Sequence, residues 1–224
     1  QVLILMSFQG FDQFGDLLLI QWFDFSEGNA WQYTWLVPHD VQTLVDTLGG
    51  PEAFTAKLDS FFVDENGRDN FGADVTGLIG QYAHGNEPSH HITYLYNYVG
   101  HQEKCAERVR QILTELYFDD HSGVCGNEDA GQMSAWYVLS AIGLYQVDPA
   151  AGEFQFGSPI VHKATLNVGG GKNFTVIAHN NSMENIYIQD VKLNGKPHAG
   201  TSITYDQIKA GGTLEFTMGA TPVK

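Results

Sequence analysis

Residues 126–159 read Gly126-Asn-Glu-Asp-Ala-Gly-Gln-Met-Ser-Ala-Trp-Tyr-Val-Leu-Ser-Ala-Ile-Gly-Leu-Tyr-Gln-Val-Asp-Pro-Ala-Ala-Gly-Glu-Phe-Gln-Phe-Gly-Ser-Pro159. Within this stretch the hydrophobic period changes. Met133 to Tyr145 is apolar nearly all round, the composition of a helix that belongs in an interior. Past Pro149, Phe154 and Phe156 alternate with polar residues, which is the period of a strand.

Working back from this point, the helical period dominates. Val41, Leu44, Val45 and Leu48 follow Pro38 at helical spacing and stop at Gly49-Gly50, and Pro51 then opens a second helix carrying Phe54, Leu58 and Phe61. Ile92 to Val99 and Cys105 to Tyr117 form a further antiparallel pair turning at Gly100. Working forward, the signals are short and alternating. Ala164–Val168 ends in three glycines, Phe174–Ala178 ends in Asn180-Asn181, and Ile186–Leu193 turns at Asn194-Gly195, a strong hairpin dipeptide. Thr213–Met218 makes the last strand. The expected fold is an α+β multidomain chain, with helical hairpins over residues 1–149 and an antiparallel β-sandwich over residues 150–224.

The 224 residues carry 26 acidic and 11 basic side chains, a formal charge of −15, with no Lys/Arg cluster to neutralise phosphates. Nucleic acid is therefore not an expected partner. Cys105 and Cys125 lie in no metal-type spacing and read as buried free thiols. The start, Gln1 to Ile20, holds two apolar patches split by the more polar Ser7–Asp16. It is neither a membrane span nor a signal peptide, and a chain that does not begin with Met fits a fragment or a processed product.

Three polar clusters interrupt the helical half. In Ser26-Glu-Gly-Asn-Ala-Trp-Gln-Tyr-Thr-Trp35, Glu27 sits beside a small-residue turn and among Trp31, Tyr33 and Trp35. Aromatic faces stack on sugar rings, and low polarity helps a carboxyl hold a proton, as a general acid must. The plainer reading is a helix start with Ser26 as cap, Glu27 in the first turn and the aromatics as core. In His84-Gly-Asn-Glu-Pro-Ser-His-His91, Asn86, Glu87, His90 and His91 offer oxygen and nitrogen donors. Amide and carboxylate oxygens suit calcium better than zinc; the alternative is a capping loop whose histidines donate to backbone carbonyls. In Gly126-Asn-Glu-Asp129, Asn127, Glu128 and Asp129 lead into the apolar helix, a position suited to a base that activates water, or else an acidic helix cap. The run Asp64–Asn70, DENGRDN, lacks the order of a calcium loop and reads as a turn.

Taken together, SEGNAWQYTWLVPHD, HGNEPSHHITYLYNY and GNEDAGQMSAWYVLSAIGLYQVDPAAGEFQFGSP resemble, in order, the signature stretches of glycoside hydrolase family 92, and GKNFTVIAHNNSMENIYIQDVKLNGKP resembles that family's C-terminal sandwich. The resemblance runs from about Asp24 to the end and leaves residues 1–23 unplaced. It implies a bacterial, periplasmic or extracellular exo-α-mannosidase, here as a C-terminal portion. The helical half would be part of an incomplete (α/α)6-type toroid, completed by an N-terminal domain of the same protein. It further implies removal of terminal α-linked mannose from glycans by inversion with Ca2+. Glu27 falls on the general acid and Asp129 on the general base, with Asn127 and Glu128 supporting it. Trp31, Asn86 and Glu87 would line the sugar subsites, and Asn86 and Glu87 are the candidate metal ligands. Asn127 stands where many members carry Asp, and Asn86-Glu87 where some α-1,2-acting relatives carry His-Glu, so the linkage stays open. The rival readings are a sugar-binding or interaction module without turnover, and a different (α/α)-toroid glycosidase or phosphorylase. A partial toroid would expose apolar helix faces and self-associate.

Overall fold

The computed structural model describes Phe25, residues 27–66, Arg68, residues 71 and 72, and residues 75–223. The apolar patches of residues 1–20, Ser26, and part of the 64–70 run lie outside them. The chain is α+β. The helical half contains α1 (Ala30–Tyr33), α2 (Val41–Thr47) and α3 (Pro51–Phe61), then a small hairpin of β1 (Leu78–Ile79) and β2 (Tyr82–Ala83). A 3-10 turn at Glu87–Ser89 and a 3-10 helix at Ile92–Val99 lead into α4 (Gln102–Glu115) and α5 (Gln132–Ala141).

These elements start where their chemistry allows. Asp40 accepts the Thr43 N–H and so caps α2, and Pro51 occupies the first turn of α3, where its missing N–H costs nothing. The apolar positions of α3 converge as Phe54, Leu58 and Phe61, all fully buried with Trp35, Tyr82, Tyr94, Tyr96 and Trp136. Two helical expectations are corrected. Ile92–Val99 is a 3-10 helix, not α. The apolar run from Met133 ends as a helix at Ala141, and Leu144–Tyr145 is a strand. Nor is α5 interior all round: Met133, Trp136 and Ser140 face the core, whereas Val138 is 57% exposed.

The second half begins inside that run. A three-stranded sheet, order β3-β4-β9, is made by β3 (Leu144–Tyr145), β4 (Glu153–Phe156) and β9 (Ser202–Thr204). The larger sheet has the order β5-β6-β10-β7-β8. Its strands are β5 (Lys163–Gly169), β6 (Lys172–His179), β7 (Tyr187–Leu193), β8 (Lys196–Pro197) and β10 (Gly212–Gly219). The helix α6 (Tyr205–Lys209) precedes β10, started by a capping box of Thr204 and Gln207. Asn194 and Gly195 turn β7 into β8, both at positive φ (53° and 74°), as a tight hairpin requires. The antiparallel expectation fails at one pair: β10 inserts between β6 and β7 and runs parallel to β6. Both sheets share one core of Leu144, Phe156, Phe174, Ile203, Leu214 and Phe216.

The change of period is a seam between two cores. Ile142 and Leu144 pack into the second, Tyr145 and Val147 into the first. Across this seam lies the buried Arg110 of α4, whose guanidinium donates to Ser158 Oγ, the Pro159 and Ser182 carbonyls, and Asn181 Oδ1. Cys105 is buried and Cys125 half-buried, both as free thiols. No helix among the described residues is long and apolar enough to cross a membrane.

Candidate active site

Glu27 lies just before α1, not in its first turn, because the cap is Asn29. Asn29 Oδ1 accepts the Gln32 N–H at 2.9 Å, and Gln32 Oε1 accepts the Asn29 N–H at 3.0 Å, a reciprocal capping box that fixes the start of the helix. The Glu27 side chain is exposed, and its backbone is left-handed at φ 52°. Its charge joins burial in raising the pKa of the Tyr33 phenol. The apolar surround expected for Glu27 is not built by these aromatics alone. Trp35 is fully buried edge-on against Phe54, and Trp31 is half-buried against Phe61 with the Lys57 ammonium 4.6 Å from its ring centre.

The second cluster follows β2. His84 bridges two tyrosines: Tyr82 Oη donates to Nδ1, while Nε2–H donates to Tyr117 Oη, whose own O–H donates to the Met133 carbonyl. Burial and the neighbouring His90 hold His84 well below the usual imidazole range, so it is neutral. His90 Nε2 donates to the His84 carbonyl, and burial pushes its pKa down to about 4 despite the opposing pull of Asp129. His91 donates to the Trp35 carbonyl. His90 and His91 are thus each anchored to a backbone carbonyl, whereas His84 is satisfied by two tyrosine hydroxyls. Asn86 is different: it is buried, and its Nδ2 donates to the backbone carbonyl of Glu27 at 2.7 Å. That contact leaves Oδ1 as the atom Asn86 can offer a cation or sugar hydroxyl. Glu87 is half-buried in the adjoining 3-10 turn.

In the third cluster Asn127, Glu128 and Asp129 are all exposed. Glu128 works as a cap, its two oxygens accepting from the Ser134 N–H and Oγ, each at 2.9 Å. Asp129 carries no such duty in its side chain; its carbonyl accepts the Gln132 N–H. Gln132 in turn donates to His90 Nδ1 and Tyr145 Oη, tying the Asp129 turn to the second cluster.

The three clusters, separate in sequence, therefore meet. Asn86 holds Glu27, and Gly85 packs backbone to backbone on Gly126, where an added Cβ at either position would strike Thr76 Oγ1. Among the described residues, those at positive φ that are neither Gly nor Asn are Glu27, Asp129 and Ala130. Such backbone states cost of order 1–3 kcal/mol each and concentrate at functional sites. No group of three or more His, Cys, Asp or Glu that could hold a metal ion occurs among the described residues. The positions that sequence reasoning missed are Thr76, Gln81, Tyr117 and Gln132. The DENGRDN run is a turn at Asp64–Asn66, with the Gln81 amide donating to the Asp64 and Asn66 carbonyls.

The chain resembles known proteins along most of its length. The model of the glycosyl hydrolase family 92 catalytic domain matches residues 7–220, starting earlier than the Asp24 from which the motifs run. A family GH92 α-mannosidase from Bacteroides thetaiotaomicron, solved in complex with mannoimidazole, superposes with a TM-score of 0.85 at 41% identity, covering 89% of this chain and 26% of that one. An inverting mannosidase of the same family and organism gives a TM-score of 0.77 at 40% identity, covering 88% of this chain and 28% of that one. An uncharacterized secreted glycosidase of the fungus Arthroderma benhamiae is 32% identical over 196 residues, 86% of this chain and 23% of that protein. The chain thus spans about a quarter of the length of these relatives, and it belongs to glycosyl hydrolase family 92.

Proposed function

We propose that this chain supplies the acid and the base of an exo-acting α-mannosidase that removes terminal α-linked mannose from glycans with inversion. The observation that carries the reading is that two exposed acids, Glu27 and Asp129, each on a left-handed backbone, have their main chains tied to the same Asn86–His90 loop, Glu27 directly and Asp129 through Gln132. Two relatives described as α-mannosidase and inverting mannosidase support the substrate class and the stereochemistry. In this scheme Glu27 protonates the glycosidic oxygen as the bond to C1 breaks. Asp129 takes a proton from water attacking C1 from the opposite face, so the two carboxyl groups should stand roughly 6.5–9.5 Å apart. Glu128, held on Ser134, fixes the turn from which Asp129 projects. Asn86, Glu87, Asn127 and Trp31 line the sugar side.

We assign Asn86 Oδ1 and Glu87 to a bound Ca2+, which would polarise sugar hydroxyls and favour a distorted ring. Calcium takes six to eight oxygens. This chain would provide two, and the sugar, water and the rest of the longer protein would provide the others. We place that remaining polypeptide, an N-terminal domain and the other hairpins of an (α/α)6-type toroid, against the exposed Val63, Phe118 and Val138. Without it, those side chains favour self-association. The β half is read as the family's C-terminal sandwich. A site outside the cytoplasm, periplasmic or extracellular, fits a relative described as secreted.

The test uses the full-length enzyme and two substrates. A nitrophenolate leaves without much protonation, so Glu27→Gln should damage hydrolysis of an α-linked mannobiose far more than that of 4-nitrophenyl α-mannoside. Asp129→Asn removes a step common to both substrates and should cost each about 10²–10⁴-fold. Identical substrate patterns for the two variants would defeat the assignment.

A further inference from the structure

Glu27 is held from two sides, and one holder belongs to none of the three clusters. Asn86 grips its carbonyl from behind. Ahead of it, the capping residues Asn29 and Gln32 both reach the same partner, Gln81, in the turn between β1 and β2. Gln81 is 3% exposed and uses every polar atom it has. Its N–H donates to the Phe61 carbonyl at the end of α3 at 2.8 Å. Its carbonyl accepts Gln32 Nε2 at 2.9 Å. Its side-chain Nε2 donates to the Asn66 carbonyl at 2.8 Å and the Asp64 carbonyl at 3.3 Å. Backbone carbonyls only accept, so the amide nitrogen must face them, and Oε1 must face Asn29 Nδ2 at 3.4 Å. The orientation of the amide is thereby determined by its surroundings.

This arrangement does more than fill the 64–66 turn. A capping box needs only the reciprocal bonds between Asn29 and Gln32, which would stand without Gln81. The further contacts from both residues to one buried side chain and its own carbonyl fix where α1 sits on α3. With α1 placed and Asn86 on the other side, the residue between them is held on its left-handed backbone, which sets the direction in which the Glu27 side chain leaves the main chain. We propose that Gln81 is a positioning residue for the general acid, acting through the Asn29–Gln32 box. The inference rests on the reading of Glu27 as the acid.

A positioning role and a merely structural role differ in what they do to substrates of unequal leaving ability. In the full-length enzyme, Gln81→Met keeps the volume and removes the amide. It should lower kcat on the mannobiose by about 10–10²-fold, the scale of a misplacement near 1 Å, while the nitrophenyl mannoside changes less than about 3-fold. In a Glu27→Gln background it should add no loss on the mannobiose, since there is no acid left to misplace. Asn29→Asp is the second variant. It keeps the cap oxygen for the Gln32 N–H, loses the donor to Gln81 and should show the same substrate-selective loss even if Gln81→Met folds poorly. Equal losses on both substrates, or a full loss persisting in the Glu27→Gln background, would overturn the role of Gln81. A Glu27→Gln enzyme without leaving-group preference would instead overturn the acid assignment, and this inference with it.

Discussion

The side-chain amide of Asn86 donates to the backbone carbonyl of Glu27 across 59 residues of sequence, at 2.7 Å. Through this bond the loop that offers cation and sugar donors also determines where the proposed acid stands. On the proposed roles, this one buried residue would couple binding to protonation.

Asn86→Asp tests that coupling. The carboxylate keeps an oxygen for a cation but sets an acceptor against the Glu27 carbonyl, a repulsion in place of a hydrogen bond. Hydrolysis of an α-linked mannobiose should fall by about 10²-fold, more than that of the nitrophenyl mannoside, with calcium affinity kept or raised. Retained mannobiose turnover in a kinetic comparison would show that the contact is incidental.

Chelation probes the metal separately. In the full-length enzyme, EDTA should abolish mannosidase activity, and added calcium should restore it, because hydroxyl-bound calcium is proposed to act on the bound sugar. Glu87→Gln should raise the calcium concentration needed for half-maximal restoration by about 10-fold or more, as loss of a carboxylate ligand weakens a hard-cation site. Turnover indifferent to EDTA would remove the metal.

Much of the fold was legible because its signals are local. Two glycines before Pro51 punctuate α2 and α3, and Asn194-Gly195 marks a hairpin by backbone chemistry alone. The parallel pairing of β6 with β10 was not legible: those strands are separated by three others and a helix, and parallel pairing leaves no mark in either strand's period. The carboxylates stood out as charges beside small-residue turns. Their supports did not, since Gln81 and Gln132 act through contacts made 13 to 52 residues away, and a glutamine looks the same in a turn or a helix whether its amide is used or idle.

The histidines make the fold sensitive to acid. His90 is neutral in the folded chain, with its pKa pushed down to about 4, and His84 is lowered still by burial, whereas an unfolded histidine titrates near 6.5. Between those values the unfolded state binds more protons, so stability is full above about pH 6.5 and falls as pH drops toward 4, by about 3 kcal/mol for His90 alone. Urea midpoints measured from pH 7.5 to 4.5 should decline along this course, and His90→Gln should flatten it. A midpoint independent of pH over that range would contradict the buried neutral imidazoles.

Arg110 offers a test of how the two halves are joined. Its buried guanidinium meets Ser158 Oγ, Asn181 Oδ1 and two carbonyls, with no carboxylate among those partners, so what holds it is directional hydrogen bonding across the seam. Arg110→Met fills the volume but strands those acceptors, each at a cost of about 1–3 kcal/mol when it stays dry. Arg110→Lys should rescue little, because one ammonium cannot span acceptors arranged for a planar fork. All four tryptophans, Trp22, Trp31, Trp35 and Trp136, precede residue 142, so tryptophan fluorescence reports the helical half while far-ultraviolet dichroism reports both. In the parent chain the two urea transitions should coincide, as for one cooperative unit. In Arg110→Met they should separate, the fluorescence transition moving away from the dichroism transition as the halves unfold independently. Coincident transitions at an unchanged midpoint would mean that the seam is held by its apolar contacts, with Arg110 only filling space.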